Sequence, residues 1–301
     1  MTDPDETFAE LRPLLFTVAY DVLGAVADAE DVVGECYLSW SRQDASTVDD
    51  PRAYLVTAVS RRAFNHLRTV RRRRETYIGS WLPEPLHTES DVADDAVLAE
   101  SVSMAMQIVL ETLSPVERVV FVLHEVFGYE HTEIAAVVDR SDVAVRQIAH
   151  RARQHVHARR RRAVATPPTD TDDVVARLLL ACLTGDVDGL LDVLAPDVVA
   201  ISDGGGHVAA ARRPLVGPEK VARFLLAVAR TEIGRATVDL ATFNASPAAI
   251  FTVDGRVDTV AVFEVHDKKL TGFYAIRNPE KLDRIERTHR LDRGEDTPCR
   301  P

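Results

Sequence analysis

The sequence is poor in cysteine. Its 301 residues include three, Cys36, Cys182 and Cys299, which lie far apart with no Cys-x-x-Cys pair. This scarcity excludes a disulfide-stapled fold and argues against a thiolate zinc site. The chain also lacks an apolar run of the about 20 residues needed to span a membrane, and its first residues, MTDPDETFAE, are acidic where a secretory signal would be basic and then apolar. We therefore expect a soluble, cytoplasmic protein with no membrane partner.

Acidic residues are missing from two segments of an otherwise acidic chain. Acids outnumber basic residues 47 to 36, giving a net charge of −11. Residues 61–74 nevertheless hold seven arginines, and residues 146–162 hold seven arginines and three histidines, with no acid in either segment. Such blocks can bind nucleic-acid phosphates whatever the net charge. We expect a protein that binds DNA poorly without a partner, because the acidic remainder limits nonspecific binding.

The length and a hydrophobic content of 46% predict two or three globular domains. Helical patterns continue to about residue 165. Beyond Thr166-Pro167-Pro168-Thr169, two helices precede alternating strands with turn signals at Gly204–Gly206 and Asp254-Gly255. This order predicts two all-α domains followed by an α+β domain whose sheet curls around its helices. The predicted boundaries are 1–76 and 96–165 for the helical domains, 77–95 and 166–170 for linkers, 171–284 for the α+β domain and 285–301 for a flexible tail.

A helix-turn-helix is predicted over residues 129–157. A short helix from Thr132 is followed by a tight turn at Asp139-Arg140 and by a second helix capped by Ser141. Long donor side chains on the outer face of this second helix can reach base edges and phosphates. The predicted DNA-binding residues here are Arg146, Gln147, His150, Arg151 and Arg153. A merely solvated charged face is the alternative, but a long exposed helix without acids is costly unless an anion neutralises it.

A second basic helix is predicted from Asp50-Pro51, an N-cap followed by proline, to about Arg74. Opposite its apolar stripe lies a row of predicted DNA-binding residues, Arg61, Asn65, Arg68 and Arg72. An ordinary amphipathic surface helix shows the same pattern, but two tethered basic helices favour DNA because the second binds at a raised effective concentration. The polar segment before it, beside Trp40 and Tyr54, could hold an unstacked base, although these aromatics suit a core equally well.

A family resemblance rests on motifs in both helical domains. Residues 28–33 (DAEDVV) and 35–38 (ECYL) resemble region 2 of extracytoplasmic-function sigma factors. Residues 113–115 (LSP), 133–135 (EIA) and 151–153 (RAR) resemble region 4. Together the resemblance covers about residues 8–162. It implies that region 2 docks on the β′ clamp helices of core RNA polymerase and reads the −10 promoter element, while region 4 reads the −35 element and touches the β flap. The implied polymerase-binding residues are Asp28, Glu30, Asp31, Val32 and Glu35.

Three further motifs resemble those of a subgroup that carries a fused SnoaL-like domain, a small cone-shaped barrel. Residues 81–85 match the subgroup's WLPEP linker motif. Residues 203–207 read DGGGH where the subgroup has DGGGK, which puts a permanent cation at His207 in doubt, and residues 278–282 read NPEKL where it has NPDKL. The resemblance implies no separate anti-sigma factor, and regulation by contacts of the extra domain with the sigma domains and linker. The implied regulatory residues are Trp81, Leu82, Pro83, Pro85, Asp203, Gly204, Gly205, Gly206, His207, Asn278, Pro279, Lys281 and Leu282.

Two other interpretations compete with a sigma factor regulated in cis. In a DNA-targeted enzyme, Asp203 and His207 would form the acid/base pair that some SnoaL-like relatives use. Three adjacent glycines instead suit a turn or a contact surface, so we predict no catalytic residue, cofactor or metal. A ligand-responsive repressor would need no polymerase-docking helix. A curled sheet with a cavity could still bind an unidentified small ligand that shifts docking.

Overall fold

The computed structural model describes residues 4–44, 47–74, 77–89, 92, 95–159, 168–232 and 234–294, with the backbone alone at 71–74, 168–170 and 232. Three helices open the chain: α1 (Pro4–Leu23), α2 (Val26–Trp40) and α3 (Pro51–Arg74). Because proline disfavours a helix interior, Pro13 predicts a start of α1 near Arg12, but the helix runs through Pro13. Its first turns are held by tertiary contacts, because Phe8 is buried and the Trp40 indole donates to the Pro4 carbonyl at 2.8 Å.

Five helices form the second helical unit. They are α4 (Ala96–Val102), α5 (Met104–Glu111), α6 (Pro115–Phe121), which widens into a π-helical turn over Val122–Val126, α7 (His131–Val138) and α8 (Asp142–Arg159). Ser114 and Glu117 form a reciprocal capping box at the start of α6. Asp139 takes a left-handed conformation, with φ of 53°, between α7 and α8. The predicted helix-turn-helix is therefore confirmed.

The C-terminal part is an α+β domain, as predicted. Its helices are α9 (Pro168–Thr184), α10 (Val187–Val193), α11 (Pro218–Glu232) and α12 (Pro279–Leu282). Its strands are β1 (Leu194–Asp203), β2 (Leu215–Val216), β3 (Ala236–Phe243), β4 (Ser246–Val253), β5 (Arg256–His266) and β6 (Lys269–Ile276), in the sheet order β2-β1-β6-β5-β4-β3. The glycine turn at 204–206 predicts a further strand over 208–211. This prediction is wrong, because the amides of His207 and Val208 both donate to the Gly204 carbonyl and fold the start of this segment into a turn.

Both faces of the sheet are covered. On one face, Ala249, Ala261 and Phe263 pack with residues of α9, α10 and α11. On the other face, Val260, Val262 and Ile276 pack with Leu82 of the linker and Met104 of α5. Register shifts in β1, β4 and β5 bend the strands. The second face of the sheet is therefore a seat for the helical part of the chain.

The helical domains share one continuous core. Buried apolar residues of α1–α3 and of α4–α8 belong to the same cluster, together with Leu86 of the linker and Leu291 near the C-terminus. The prediction of a flexible tail over 285–301 is thus wrong for residues 285–294, and 295–301 lie outside the described residues. Ile285 and Leu291 are buried, and Arg293 forms an ion pair with Asp95 at 2.6 Å. The many charged residues of this segment made it resemble a solvated tail and hid the role of its two apolar residues. Within the described residues, no helix is both long and apolar enough to cross a membrane.

We predict that Leu82→Ala lowers the free energy of unfolding by about 2–5 kcal/mol, since truncating a buried leucine leaves a cavity. Leu82 of the linker is fully buried against the sheet, whereas Ile78, four residues earlier, is 71% exposed. Urea unfolding of the full chain measures the effect, with Ile78→Ala as the matched control. Equal, small shifts in both variants would contradict the placement of Leu82.

Candidate functional site

The carboxylate of Asp203, at the end of β1, is fully buried and joins three separated segments. One oxygen accepts hydrogen bonds from the Tyr77 hydroxyl at 2.6 Å and the Gly205 amide at 3.0 Å. The other accepts from the Leu82 amide at 2.9 Å and from the Lys281 ammonium at 2.8 Å. We call Tyr77, Trp81, Leu82, Asp203, Asn278 and Lys281 the linker node. Four donors, one of them charged, compensate the buried negative charge.

Lys281 is held in an aromatic setting within the linker node. Its ammonium donates to the Leu82 carbonyl and lies 4.3 Å from the ring centroid of Trp81 and 5.0 Å from that of Tyr77. The pKa of Tyr77 lies well above its usual value, mainly because of burial and to a lesser extent because of the hydrogen bond to Asp203. The Tyr77 hydroxyl therefore keeps its proton and remains a donor to the carboxylate.

Asn278 and Gly205 close the linker node from the other side. The Asn278 amide donates to the Tyr77 hydroxyl at 2.9 Å, and its oxygen accepts from the Glu280 amide at the start of α12. Gly205 has φ of 61°, and a Cβ there would lie 2.5 Å from the Asn278 side chain. A glycine is therefore required by both conformation and space. The three motifs found in the sequence converge on one buried cluster.

The other predicted regulatory residues surround this cluster. Pro83, Pro85, Gly204 and Leu282 are buried, Gly206 lies next to Ile78, and Pro279 is exposed in the first turn of α12. His207 is about half exposed and lies 3.8 Å from Glu280. The histidine that replaces the lysine of the DGGGK motif thus faces the glutamate that replaces the aspartate of NPDKL.

Sequence analysis missed a second buried cluster, centred on Asn244 in the turn between β3 and β4. Asn244 has φ of 55°, and its side-chain oxygen accepts from the Leu86 amide at 3.0 Å. Its side-chain nitrogen donates to the Tyr20 hydroxyl and to the Val102 carbonyl, both at 2.7 Å. This one amide links the linker, α1 and α4 to the α+β domain. An Asn-Ala pair between two alternating strands is a hairpin signal that could have located the turn, although not its partners.

Glu84 is the member of the linker motif that the prediction left out. Its carboxylate accepts from the Ala27 amide at 3.0 Å at the start of α2, and its own amide donates to the Gly24 carbonyl at 3.0 Å. Its carbonyl accepts from the Tyr20 hydroxyl at 2.9 Å. Burial raises the pKa of Glu84. The linker motif therefore binds the first helical domain through its glutamate and the α+β domain through Leu82.

A buried polar network joins α1 to α5 and α6. The Arg118 guanidinium donates to the Asp21 carbonyl at 3.1 Å and to the Gln107 side chain at 2.8 Å, and it pairs with Glu111. The Gln107 amide donates to the Asp21 carboxylate at 3.0 Å. Burial raises the pKa of Asp21 to about 7, although Ser101, Arg118 and Gln107 act in the opposite direction. The two helical domains are therefore held in register by polar contacts as well as by their shared apolar core.

The predicted polymerase-binding residues on α2 have different environments. Asp31 and Glu35 are exposed, and Asp28 lies 3.0 Å from the His66 ring. Val32 is 3% exposed and packs in the core of the bundle, so the structure contradicts its prediction as a surface contact; it belongs to the apolar stripe of α2. Glu30 is largely buried beneath basic side chains. Its carboxylate lies 2.6 Å from Arg287, 3.3 Å from His289, 3.5 Å from Arg284 and 3.9 Å from Arg12.

The predicted DNA-binding residues fall into two groups. On α8, all five residues are exposed; Arg146 pairs with Asp142 at 2.7 Å, and Arg153 with Glu125 at 2.5 Å. On α3, Arg61, Asn65 and Arg68 line a cleft whose opposite wall is α7 and the turn after it. Arg61 donates to the Ala136 carbonyl of α7 at 2.8 and 3.2 Å. The side chain of Arg72 lies outside the described residues.

The two aromatic residues next to the polar segment that precedes α3 differ in exposure. Trp40 is 1% exposed and belongs to the core, while Tyr54 is partly exposed and donates to the Gln43 side chain at 2.5 Å. Of the two, Tyr54 is the ring that an unstacked base can reach.

Comparison with known proteins identifies the helical domains. The family model for Sigma-70 region 2 matches residues 7–73, and the model for Sigma-70, region 4 matches residues 103–156. The ECF RNA polymerase sigma factor SigJ of Mycobacterium tuberculosis strain H37Rv is 37% identical over 287 residues, covering 91% of this chain and 92% of that protein. The chain belongs to the extracytoplasmic-function family of sigma-70 factors.

The likeness to this family extends over the C-terminal part. The probable ECF RNA polymerase sigma factor SigI of the same strain is 32% identical over 276 residues, or 90% of this chain and 92% of that protein. The crystal structure of Mycobacterium tuberculosis SigJ is similar with a TM-score of 0.74 and 36% identity, covering 93% of this chain and 98% of that chain. Members of the family bind core RNA polymerase and promoter DNA. The chain is an RNA polymerase sigma factor that directs promoter recognition and transcription initiation.

We predict that Asp203→Asn lowers the free energy of unfolding by about 3–5 kcal/mol, because it leaves the buried Lys281 ammonium without its counter-charge. Urea unfolding of the full chain measures this loss. Asp239→Asn, an exposed aspartate on β3, serves as the control and is expected to change little. A loss no larger than in the control would show that the ion pair does not hold the linker.

We predict that Asp21→Asn stabilises the chain increasingly as the pH rises from about 5 to about 8. The folded chain holds the Asp21 proton up to a pKa of about 7, whereas an unfolded aspartate loses it near pH 4. The contribution of the neutral acid is therefore complete below about pH 4 and is lost as the pH rises through 7, while asparagine stays neutral throughout. Urea midpoints of both proteins across this range test the prediction, with Glu10→Gln, exposed on the same helix, as control. A constant difference between Asp21→Asn and the parent would contradict it.

Proposed function

We propose that the described structure is a closed, inactive form of the sigma factor, which its SnoaL-like domain maintains in cis. The observation that carries this proposal is the position of the basic row of α3. Arg61, Asn65 and Arg68, the residues we assign to the −10 element, face α7 across a cleft of about 650 Å³. That volume is in the about 300–1,000 Å³ range of small-molecule sites. All three side chains are exposed to solvent, but α7 lies opposite them and Arg61 already donates to the Ala136 carbonyl, so a DNA strand that packs along the row requires region 4 to move away.

Polymerase docking is restricted in the same form. We assign Asp28, Glu30, Asp31 and Glu35 of α2 to the β′ clamp helices, and Glu30 already pairs with Arg287 and accepts a hydrogen bond from the His289 ring of the C-terminal segment. Asp31 and Glu35 remain exposed. Polymerase thus begins docking on the exposed acids and displaces the C-terminal segment to reach Glu30.

Region 4 remains partly available. The five assigned residues of α8, Arg146, Gln147, His150, Arg151 and Arg153, are exposed, so contact with the −35 element does not require the domains to separate. Arg146 and Arg153 must exchange their carboxylate partners for phosphates or base edges. Closure therefore acts mainly on region 2.

The fused domain takes the place of a separate anti-sigma factor. It binds the linker through Asp203 and Lys281 and binds α1 and α4 through Asn244, contacts that a partner protein would otherwise have to supply. We place the protein in the cytoplasm with the polymerase. The position of Asp203 supports a contact role over the enzyme hypothesis, because both of its carboxylate oxygens are engaged in the linker node and it is fully buried.

Run-off transcription with core polymerase on a genomic promoter pool tests the proposal. We expect the double variant Arg287→Ala, His289→Ala to bind core polymerase about tenfold more tightly than the parent chain and to initiate more often, since it frees Glu30 and loosens the C-terminal segment. Arg256→Ala, exposed at the start of β5, is the matched control. Unchanged polymerase affinity in the double variant would contradict the proposed competition. Failure of every variant to bind polymerase would contradict the assigned docking surface.

A further inference from the structure

The cleft between α3 and α7 has the composition of a ligand site. It encloses about 650 Å³ between the two helical domains. One wall belongs to region 2 and the other to region 4, so the cleft exists only while the two domains are closed. The residues that carry the argument are Arg61, Phe64, Asn65, Arg68, Val137 and Arg140.

Positive charge exceeds negative charge in this cleft, because its described lining holds three arginines and a single acid, Asp139. Arg61 donates to the Ala136 carbonyl and Arg140 to the Asp139 carbonyl, while the Arg68 guanidinium lies 5.7 Å from the ring centroid of Phe64. Among the residues that the structure describes, no carboxylate lies within ion-pair distance of these three guanidinium groups. A concave surface with an excess of charge of one sign concentrates counter-ions. Guanidinium groups suit phosphate in particular, because their planar donors bind two oxygens at once.

The floor of the cleft is apolar. Phe64 and Val137 are 9% and 8% exposed, and Pro115 and Val116 contribute further apolar surface. Asn65 and Ser114 add polar groups that can fix the orientation of a ring. A site with phosphate-binding arginines at its rim and an aromatic side chain at its floor suits a molecule that has both a polyphosphate and a flat ring.

We propose that the cleft binds a nucleotide carrying two or more phosphates. The phosphates are bound by Arg61, Arg68 and Arg140, and the base packs against Phe64 and Val137. A ligand that contacts both walls binds the closed form alone and therefore shifts the population toward it. This regulatory consequence rests on the proposed function of the closed form, whereas binding itself does not.

Isothermal titration calorimetry of the full chain with ATP and, separately, with inorganic triphosphate tests the site without any transcription readout. We expect one molecule of ATP per chain, with affinity reduced about tenfold or more in Arg140→Ala and in Arg68→Ala, the loss of one charge-assisted contact each. Arg151→Ala, on the exposed face of α8, is the matched control and is expected to bind as the parent does. Circular dichroism verifies that each variant is folded.

Three results would overturn the proposal. The first is no heat of binding at about 1 mM ATP, which excludes a millimolar or tighter site. The second is binding of several molecules per chain with equal losses in Arg140→Ala and Arg151→Ala, which identifies nonspecific phosphate binding by the basic helices. The third is equal affinity for triphosphate and ATP, which removes the role of the apolar floor and hence the nucleotide.

Discussion

The rest of the closed structure depends on one buried ion pair, between Asp203 at the end of β1 and Lys281 in α12. The Asp203 side chain is fully buried and that of Lys281 is 8% exposed, so each charge is stable only while its partner and the surrounding donors are in place. Two of those donors, the Tyr77 hydroxyl and the Leu82 amide, come from the linker. The Asp203 carboxylate of the α+β domain therefore has its full set of hydrogen bonds only when the linker is bound. A hydrophobic pair of similar shape could hold the two segments with comparable strength. The ion pair adds selectivity, because few other arrangements of these segments satisfy both charges.

The closed form combines this selective contact with extensive apolar burial. The core of region 2 continues into region 4, and the second face of the sheet is covered by Leu82 and Met104. Opening therefore exposes apolar surface, and the free chain is expected to remain closed. Only a partner with a large differential affinity for the open form can reverse this balance. On the proposed function, core polymerase is this partner, since members of the family bind it.

The sequence revealed the helical domains, the α+β order and the three motifs of the linker node, because each has a local signal: a period, a cap, a glycine cluster or a recognisable motif. It did not reveal Asn244, the network around Asp21 and Arg118, or the packing of Ile285 and Leu291. These residues act over sequence separations that leave no local trace, and two apolar residues in a charged tail resemble a solvated segment. The errors at Pro13 and Val32 have the same origin. At Pro13, tertiary contacts outweighed a helix-breaking residue; at Val32, a motif residue proved to serve the core.

The linker forms part of a short ladder. His87 pairs with Phe243 at the end of β3, Thr88 pairs with His289, and His289 in turn stacks on Phe16 of α1 with ring centroids 4.5 Å apart. The end of β3, the linker and the C-terminal segment thus lie side by side and are joined by backbone pairing. Displacing any one of these three segments leaves backbone groups of its neighbours without hydrogen-bond partners. A change in the segment around His289 therefore affects the linker, some 200 positions earlier in the sequence, without passing through the core of the α+β domain.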